Sequence, residues 1–236
     1  MSAAGRALLQ LRVLEDLEGA RNYNAWVAAL AMPYLGEHPI EIGSGLGGNA
    51  ARWLASGLRR ITVSDVEDET LEALRGRFGE DERVEVAEVD QTKPPRREQS
   101  ALVALNVLEH IEDDVTGLRA AHELVRPGGR VVVFVPAFEF ALSRFDRAIG
   151  HYRRYTVATL SESFGRAGLE VERCHYVNAP GLLAWTVGMK LLRMTPGEGL
   201  ALRVWDGAVI PVTRRLESRR HPPFGQSVLC VGRVPR

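Results

Sequence analysis

The stretch Ile40-Glu41-Ile42-Gly43-Ser44-Gly45-Leu46-Gly47-Gly48-Asn49 joins a short apolar run to a turn with four glycines. Glycine accepts backbone angles that side chains resist, and it lets a ligand lie against the main chain. At the carboxyl end of the first strand of an α/β sheet, such a turn is a nucleotide-sized binding place. The same run also serves as a plain tight turn. Arg59-Arg60-Ile61-Thr62-Val63-Ser64-Asp65 follows at the spacing where a second strand delivers a carboxylate to a ribose. Asp65 alternatively caps the helix after it, and the two roles are compatible. NAD and S-adenosylmethionine both carry adenosine, and both stay open on these residues alone.

Positioning these groups requires strands that alternate with helices. After the glycine turn, Ala50 to Ala55 reads as a helix with Trp53 and Leu54 inward, ended by Gly57. Thr70 to Phe78 is an amphipathic helix, and Val84 to Asp90 a third strand. Pro94-Pro95 breaks the chain. Ala101 to Asn106 is an almost continuous apolar run, as in a central parallel strand covered on both faces. Val115 to Val125 is helical and stops at Pro127-Gly128-Gly129. Arg130 to Val135 is the fifth strand, Leu169 to Cys174 the sixth and Ser227 to Val231 the seventh. Thr156 to Ala167 reads as a helix capped by Thr156 or Thr159, and Phe138 to Tyr155 as an active-site insertion. The alternation predicts an α/β, Rossmann-like, doubly wound sheet.

Ahead of the sheet, Leu8, Leu9, Leu11, Leu14 and Leu17 have helical spacing, and Trp26, Leu30 and Ala31 suggest a second helix. Residues 1–36 are therefore a helical segment that either flaps over the crevice or packs on the sheet. The whole chain, 1–236, reads as one domain. Its 30 basic and 30 acidic residues cancel, which removes a global electrostatic argument for a nucleic-acid partner. Cys174 and Cys230 alone do not make a disulfide scaffold or a thiolate metal site. No stretch reaches the length of a membrane span, and the start lacks a long apolar run with a cleavage site. The chain reads as cytoplasmic.

Three further features separate the cofactors. Asp90 follows the third strand, the fourth runs into Asn106-Val107-Leu108-Glu109-His110-Ile111-Glu112-Asp113-Asp114, and the next helix ends in Leu124-Val125-Arg126-Pro127-Gly128-Gly129. With the glycine turn, these resemble a class I S-adenosylmethionine-dependent methyltransferase from about Ile40 to Val135, and more loosely to the C-terminus. The resemblance implies a seven-stranded sheet in the order 3-2-1-4-5-7-6 with the last strand antiparallel. It implies that Glu41, Gly43, Gly45 and Gly47 lie beside the amino-acid part of S-adenosylmethionine. Asp65 would hold the ribose hydroxyls, Asp90 would face the adenine, and Asn106 and Val107 would sit near the methionine moiety. Many relatives begin the fourth strand with an aspartate, where this chain has Gln99-Ser100. Phe145-Asp146, Gly150-His151-Tyr152-Arg153-Arg154-Tyr155 and Pro223-Phe224-Gly225 resemble a group of bacterial small-molecule methyltransferases with diverse substrates.

Methyl transfer draws much of its rate from alignment of the acceptor behind the sulfonium methyl group. An oxygen acceptor often also needs a base. His151, in the insertion beside an arginine pair, is the first candidate; His110 and Tyr152 are the alternatives. Arg153 and Arg154 are candidates for clamping a carboxylate or phosphate, and Tyr155 for orienting the acceptor. Each has a structural alternative as a loop, surface or packing residue. Glu109 reads as a charged loop residue, and His122 as a helix residue that packs or meets solvent. No grouping along the chain gives a metal pattern. Within an insertion at 177–226, Ala179 to Leu192 is apolar and arginines follow it. A pocket wall or homodimer face is favoured there over a membrane contact. The function expected is methylation of a small anionic or apolar acceptor on oxygen, in a biosynthetic pathway. C- or N-methylation, a nicotinamide-dependent dehydrogenase and a non-catalytic binding module are the alternatives.

Overall fold

The computed structural model describes residues 19–89, 98–191 and 200–236. Asp90 and the leucine-rich stretch 7–17 lie outside them. Seven strands, β1 (Ile40–Ile42), β2 (Ile61–Asp65), β3 (Val84–Glu88), β4 (Gln99–Leu105), β5 (Val125–Pro136), β6 (Glu170–Val177) and β7 (Ser227–Arg233), form one sheet. Their order is β3-β2-β1-β4-β5-β7-β6. The pairs from β3 to β5 are parallel, and β7 is antiparallel to both β5 and β6. Order and antiparallel seventh strand are those the resemblance implies.

The long runs Val131 to Val135 and Val228 to Val231 are buried on both faces. Strand side chains alternate between faces, so Val131, Val133 and Val135 enter one core while Val132 and Phe134 enter the other. The first core is closed by helices Asp114–Leu124 and Val157–Arg166. The second is closed by Arg21–Ala31, Gly48–Ala55 and Asp68–Phe78. In chain order the helices are α1 (Arg21–Ala31), α2 (Gly48–Ala55), α3 (Asp68–Phe78), α4 (Asp114–Leu124), α5 (Arg144–Ala148), α6 (Val157–Arg166), α7 (Ala179–Trp185), α8 (Leu200–Val204) and α9 (Ile210–Glu217).

Several element boundaries shift by a few residues from the sequence expectation. Strand β5 begins at Val125, ahead of the Pro127-Gly128-Gly129 break, because Val125 pairs with Gln99 across an irregular register. Strand β6 runs on to Val177, which pairs with Ser227. The cap of α6 is reciprocal: Thr156 Oγ1 accepts from the Thr159 N–H, and Thr159 Oγ1 accepts from the Thr156 N–H.

The described part of the N-terminal segment packs on the sheet. Trp26, Val27, Ala28, Ala31 and Leu35 are core residues, and the Trp53 indole donates to the Ala28 carbonyl at 2.8 Å. The same helix is tied to the late insertion. Buried Asp206 accepts from the Asn22 N–H and the Tyr23 N–H, both at 2.9 Å. The start of α7 is held in turn by Glu217, whose two oxygens accept from the Asn178 N–H and the Ala179 N–H. Among the described residues no helix is long and apolar enough to cross a membrane.

Candidate active site

The glycine turn is stitched to β2. The Ser44 N–H donates to the Ser64 carbonyl, and the Ser64 N–H donates back to Ser44 Oγ. The Gly45 N–H donates to Asp65 Oδ2 at 3.0 Å. Asp65 Oδ1 accepts from the Val66 N–H and the Glu67 N–H. A carboxylate has about four acceptor directions, so Oδ2 keeps one for a ligand hydroxyl. Asp65 does not cap α3, whose N-cap position is Glu67; it braces the glycine turn and the loop ahead of that helix, and Oδ2 retains acceptor capacity.

Gly43, Gly45 and Gly47 have left-handed φ angles. A Cβ at Gly43 would lie 2.6 Å from Val107 Cγ2, so Val107 rests directly on the turn. Glu41 is fully buried. Its Oε1 accepts from Asn49 Nδ2 at 3.2 Å, and its Oε2 has no partner. Burial pushes its pKa up from 4.5 to about 8. Glu41 is thus a buried, half-satisfied acid beside a turn that leaves the main chain bare. Asn106 has a left-handed φ of 56° and donates its N–H to the Phe134 carbonyl at 2.8 Å. Its side chain is exposed at the carboxyl edge of β4.

Directly after Val107 the chain turns through Leu108–His110, and here the loop Phe138 to Tyr155 arrives. Gly150, at φ +96°, lets the chain reverse after α5, and its Cβ position is 3.6 Å from His110 Nδ1. The Tyr152 N–H donates to the Glu109 carbonyl at 2.9 Å. The result is a buried cluster. His151 Nδ1 lies 3.1 Å from Asp146 Oδ1, and Nε2 lies 3.8 Å from Glu109 Oε1. The His110 and His151 rings meet edge to face at 4.5 Å. Glu109 is wholly buried, and neither of its oxygens has a hydrogen-bond partner.

Asp146 organises the cluster. Its Oδ2 accepts from the Ser143 N–H and hydroxyl, capping α5, while Oδ1 meets His151 and Arg154 Nη2, the latter at 2.7 Å. Burial opposes its ionisation, but His151 and Arg154 outweigh that and hold its carboxyl well below the ordinary range. Burial raises Glu109 to about 7, with His151 pulling the other way. Burial, then the His151 charge, lowers His110 to about 4. The Arg154 guanidinium is spent internally, on Asp146, on the Ala137 carbonyl and on the face of Trp185 at 4.8 Å. Trp185 comes from the late insertion and donates its indole N–H to the Ala141 carbonyl at 3.1 Å.

His151 and His110 thus meet, as the two leading base candidates. Tyr152 contributes backbone, and its side chain is half exposed. Arg153 binds Asp114 Oδ1 at 3.2 Å and the Glu112 carbonyl. Tyr155 is a core residue whose burial raises its pKa, and its backbone bridges to Pro136 and Phe138. The two arginines and Tyr155, expected to hold the acceptor, therefore brace the insertion in this structure. Sequence reading missed Glu109, Asp146 and Trp185 as parts of the site. The one local signal was Glu109-His110 standing directly after the edge residues Asn106 and Val107.

Comparison with known proteins agrees with this geometry. Residues 40–131 match the family model of a methyltransferase domain. A Mycolicibacterium smegmatis protein named a probable S-adenosylmethionine-dependent methyltransferase is 28% identical over 161 residues, covering 64% of this chain and 59% of that one. The match thus spans less than two thirds of that relative's length. Among solved structures, a chain of the complex between the Haloferax volcanii Trm112 methyltransferase activator and a methyltransferase superposes with a TM-score of 0.64. It is 16% identical, with 99% of this chain and 97% of that chain covered. Haemonchus contortus phosphoethanolamine N-methyltransferase 2, in complex with S-adenosyl-L-methionine, gives 0.62 at 14% identity, covering 91% of this chain and 53% of that one. At these identities the structures speak for the fold.

Proposed function

We infer that the chain is a class I S-adenosylmethionine-dependent methyltransferase, a reading supported by its methyltransferase-domain match and its probable-methyltransferase relative, and that it methylates a small-molecule acceptor on oxygen. The observation that carries the reading is the adjacency of two built places. One is the cradle of Glu41, Gly43, Gly45, Gly47 and Asp65. The other is the buried donor cluster of Glu109, His110 and His151, which starts two residues after Val107. When bound, S-adenosylmethionine supplies an electrophilic methyl group on a positively charged sulfur.

The residues divide the work. Asp65 Oδ2 and the bare backbone of the turn fix the cofactor, and Asn106 and Val107 border it at the edge of β4. The resemblance assigns Asp90 to the adenine. The acceptor enters at the carboxyl edge of β4, next to the side chains of Glu109, His110 and His151, with Asp146 standing behind the His151 ring on its Nδ1 side. Alignment there provides most of the rate. Tyr152, whose half-exposed side chain sits at the rim, and the insertion 177–226, which covers Arg154 through Trp185, select the acceptor. An oxygen nucleophile is favoured because the cluster's electron-pair donors are nitrogen and carboxylate groups suited to a hydroxyl or to its proton.

Isothermal titration with S-adenosylhomocysteine tests the cofactor half. One molecule binds per chain, and Asp65→Ala weakens binding by about 1–3 kcal/mol, the worth of hydrogen bonds to a charged acceptor. An unchanged affinity in a folded Asp65→Ala protein removes Asp65 from the cofactor site.

A further inference from the structure

Glu109, His110 and His151 are three ligand-type side chains brought together from two parts of the chain. One donor atom from each lies within 4.8 Å of the others. We propose that these three residues form a site for one first-row divalent cation of the zinc or manganese type, at the acceptor end of the crevice. The inference rests on the methyltransferase reading only for the cation's use; the site itself stands on the side chains.

Four observations carry it. Both Glu109 oxygens are buried without a hydrogen-bond partner, and a buried acid in that condition is costly unless something occupies it. The 3.8 Å between His151 Nε2 and Glu109 Oε1 is too long for a hydrogen bond. It is the separation of two ligands about 2.0–2.2 Å from a shared ion at a wide angle. Asp146 Oδ1 stands 3.1 Å behind His151 Nδ1, close but outside hydrogen-bond geometry, so a small turn of the ring onto an ion at Nε2 would complete the carboxylate–histidine arrangement that orients metal-binding imidazoles. Asp146 is in turn fixed by Arg154 and Ser143, so the donor atoms are supported by packing.

The donor set selects the ion. Two imidazoles and one carboxylate suit zinc, manganese or iron, whereas magnesium and calcium prefer oxygen alone. Three protein ligands leave at least one coordination position open. Such a position, at the carboxyl edge of β4, would suit an acceptor bearing a hydroxyl or enol oxygen. The sequence hid the site because α4, β5 and α5 all intervene between His110 and His151.

The test uses the full chain, stripped with a chelator and titrated with Co²⁺ by visible absorption and with Mn²⁺ by paramagnetic resonance of the free ion. The expected result is one site per chain with the spectrum of nitrogen and oxygen ligands. Glu109→Gln and His151→Gln each weaken Mn²⁺ binding at least about tenfold, while His122→Ala, away from the cluster, binds as wild type does. S-adenosylhomocysteine affinity, measured in parallel, stays unchanged in Glu109→Gln. This separates loss of the ion from loss of the cofactor and shows that the variant is folded. Absence of a stoichiometric site, thiolate charge-transfer bands pointing to Cys174 and Cys230, or binding that survives both cluster substitutions would overturn the proposal.

Discussion

Glu41 is the residue where burial and ligand recognition conflict most plainly. It lies in β1 between Val63 and Val103, fully buried, with Oε2 unpartnered and its pKa raised from 4.5 to about 8. The folded state therefore keeps a proton that the unfolded state releases. The stabilisation is complete below pH 4.5 and is lost as pH rises through about 8. Glu41→Gln, which mimics the protonated acid, should match the wild type near pH 4.5. It should become more stable than the wild type by on the order of 1–3 kcal/mol near pH 8. Urea melts at several pH values check this. A pH-independent difference would mean that Glu41 does not hold a proton in the fold. The resemblance singled out Glu41 as an expected cofactor neighbour through its place before the glycines. It did not reveal Glu109 in the same way, since burial of that acid depends on a loop forty residues away.

At the scale of elements, the candidate site is where four connections at one edge of a regular sheet converge. The turn after β1 and the turn after β4 meet through Gly43 and Val107. The loop after β5 brings Asp146 and His151, and the helical insertion after β6 brings Trp185. Trp185 is the joint between the last two, through the Arg154 face and the Ala141 carbonyl. Trp185→Ala should lower stability by about 1–3 kcal/mol, the worth of a half-buried cation–π contact, a hydrogen bond and the area lost. S-adenosylhomocysteine affinity should change less than about twofold, a few tenths of a kcal/mol. A urea melt and a titration on the same sample check both. A parallel loss of cofactor affinity would mean that the insertion props up the cradle instead of roofing the acceptor end. The sheet elements were legible because hydrophobic period and glycine breaks are local signals. The joint was not, because an apolar Trp185 and a charged Arg154 give no sign in sequence that they stack.

For the whole molecule, the two cores fix the sheet and leave its carboxyl edge to chemistry. The alternating burial of β5 and β7 ties both helical layers to the central strands. The N-terminal helix and the late insertion close on each other through Asp206. Strand order and the cofactor turn followed from the motifs between Ile40 and Val135. The acceptor end draws on residues 106 to 185 and so depends on tertiary structure. The central claim is that this fold joins a cofactor cradle to an oxygen-acceptor site. Its most direct test is transfer of a ¹³C-methyl group from S-adenosylmethionine to the small-molecule fraction of a cell extract by the purified chain, read by NMR. The account predicts a new methoxy resonance that is strongly diminished with Asp65→Ala at limiting S-adenosylmethionine and with His151→Gln. Label on carbon or nitrogen, label confined to macromolecules, or a methoxy product undiminished in both variants would contradict it.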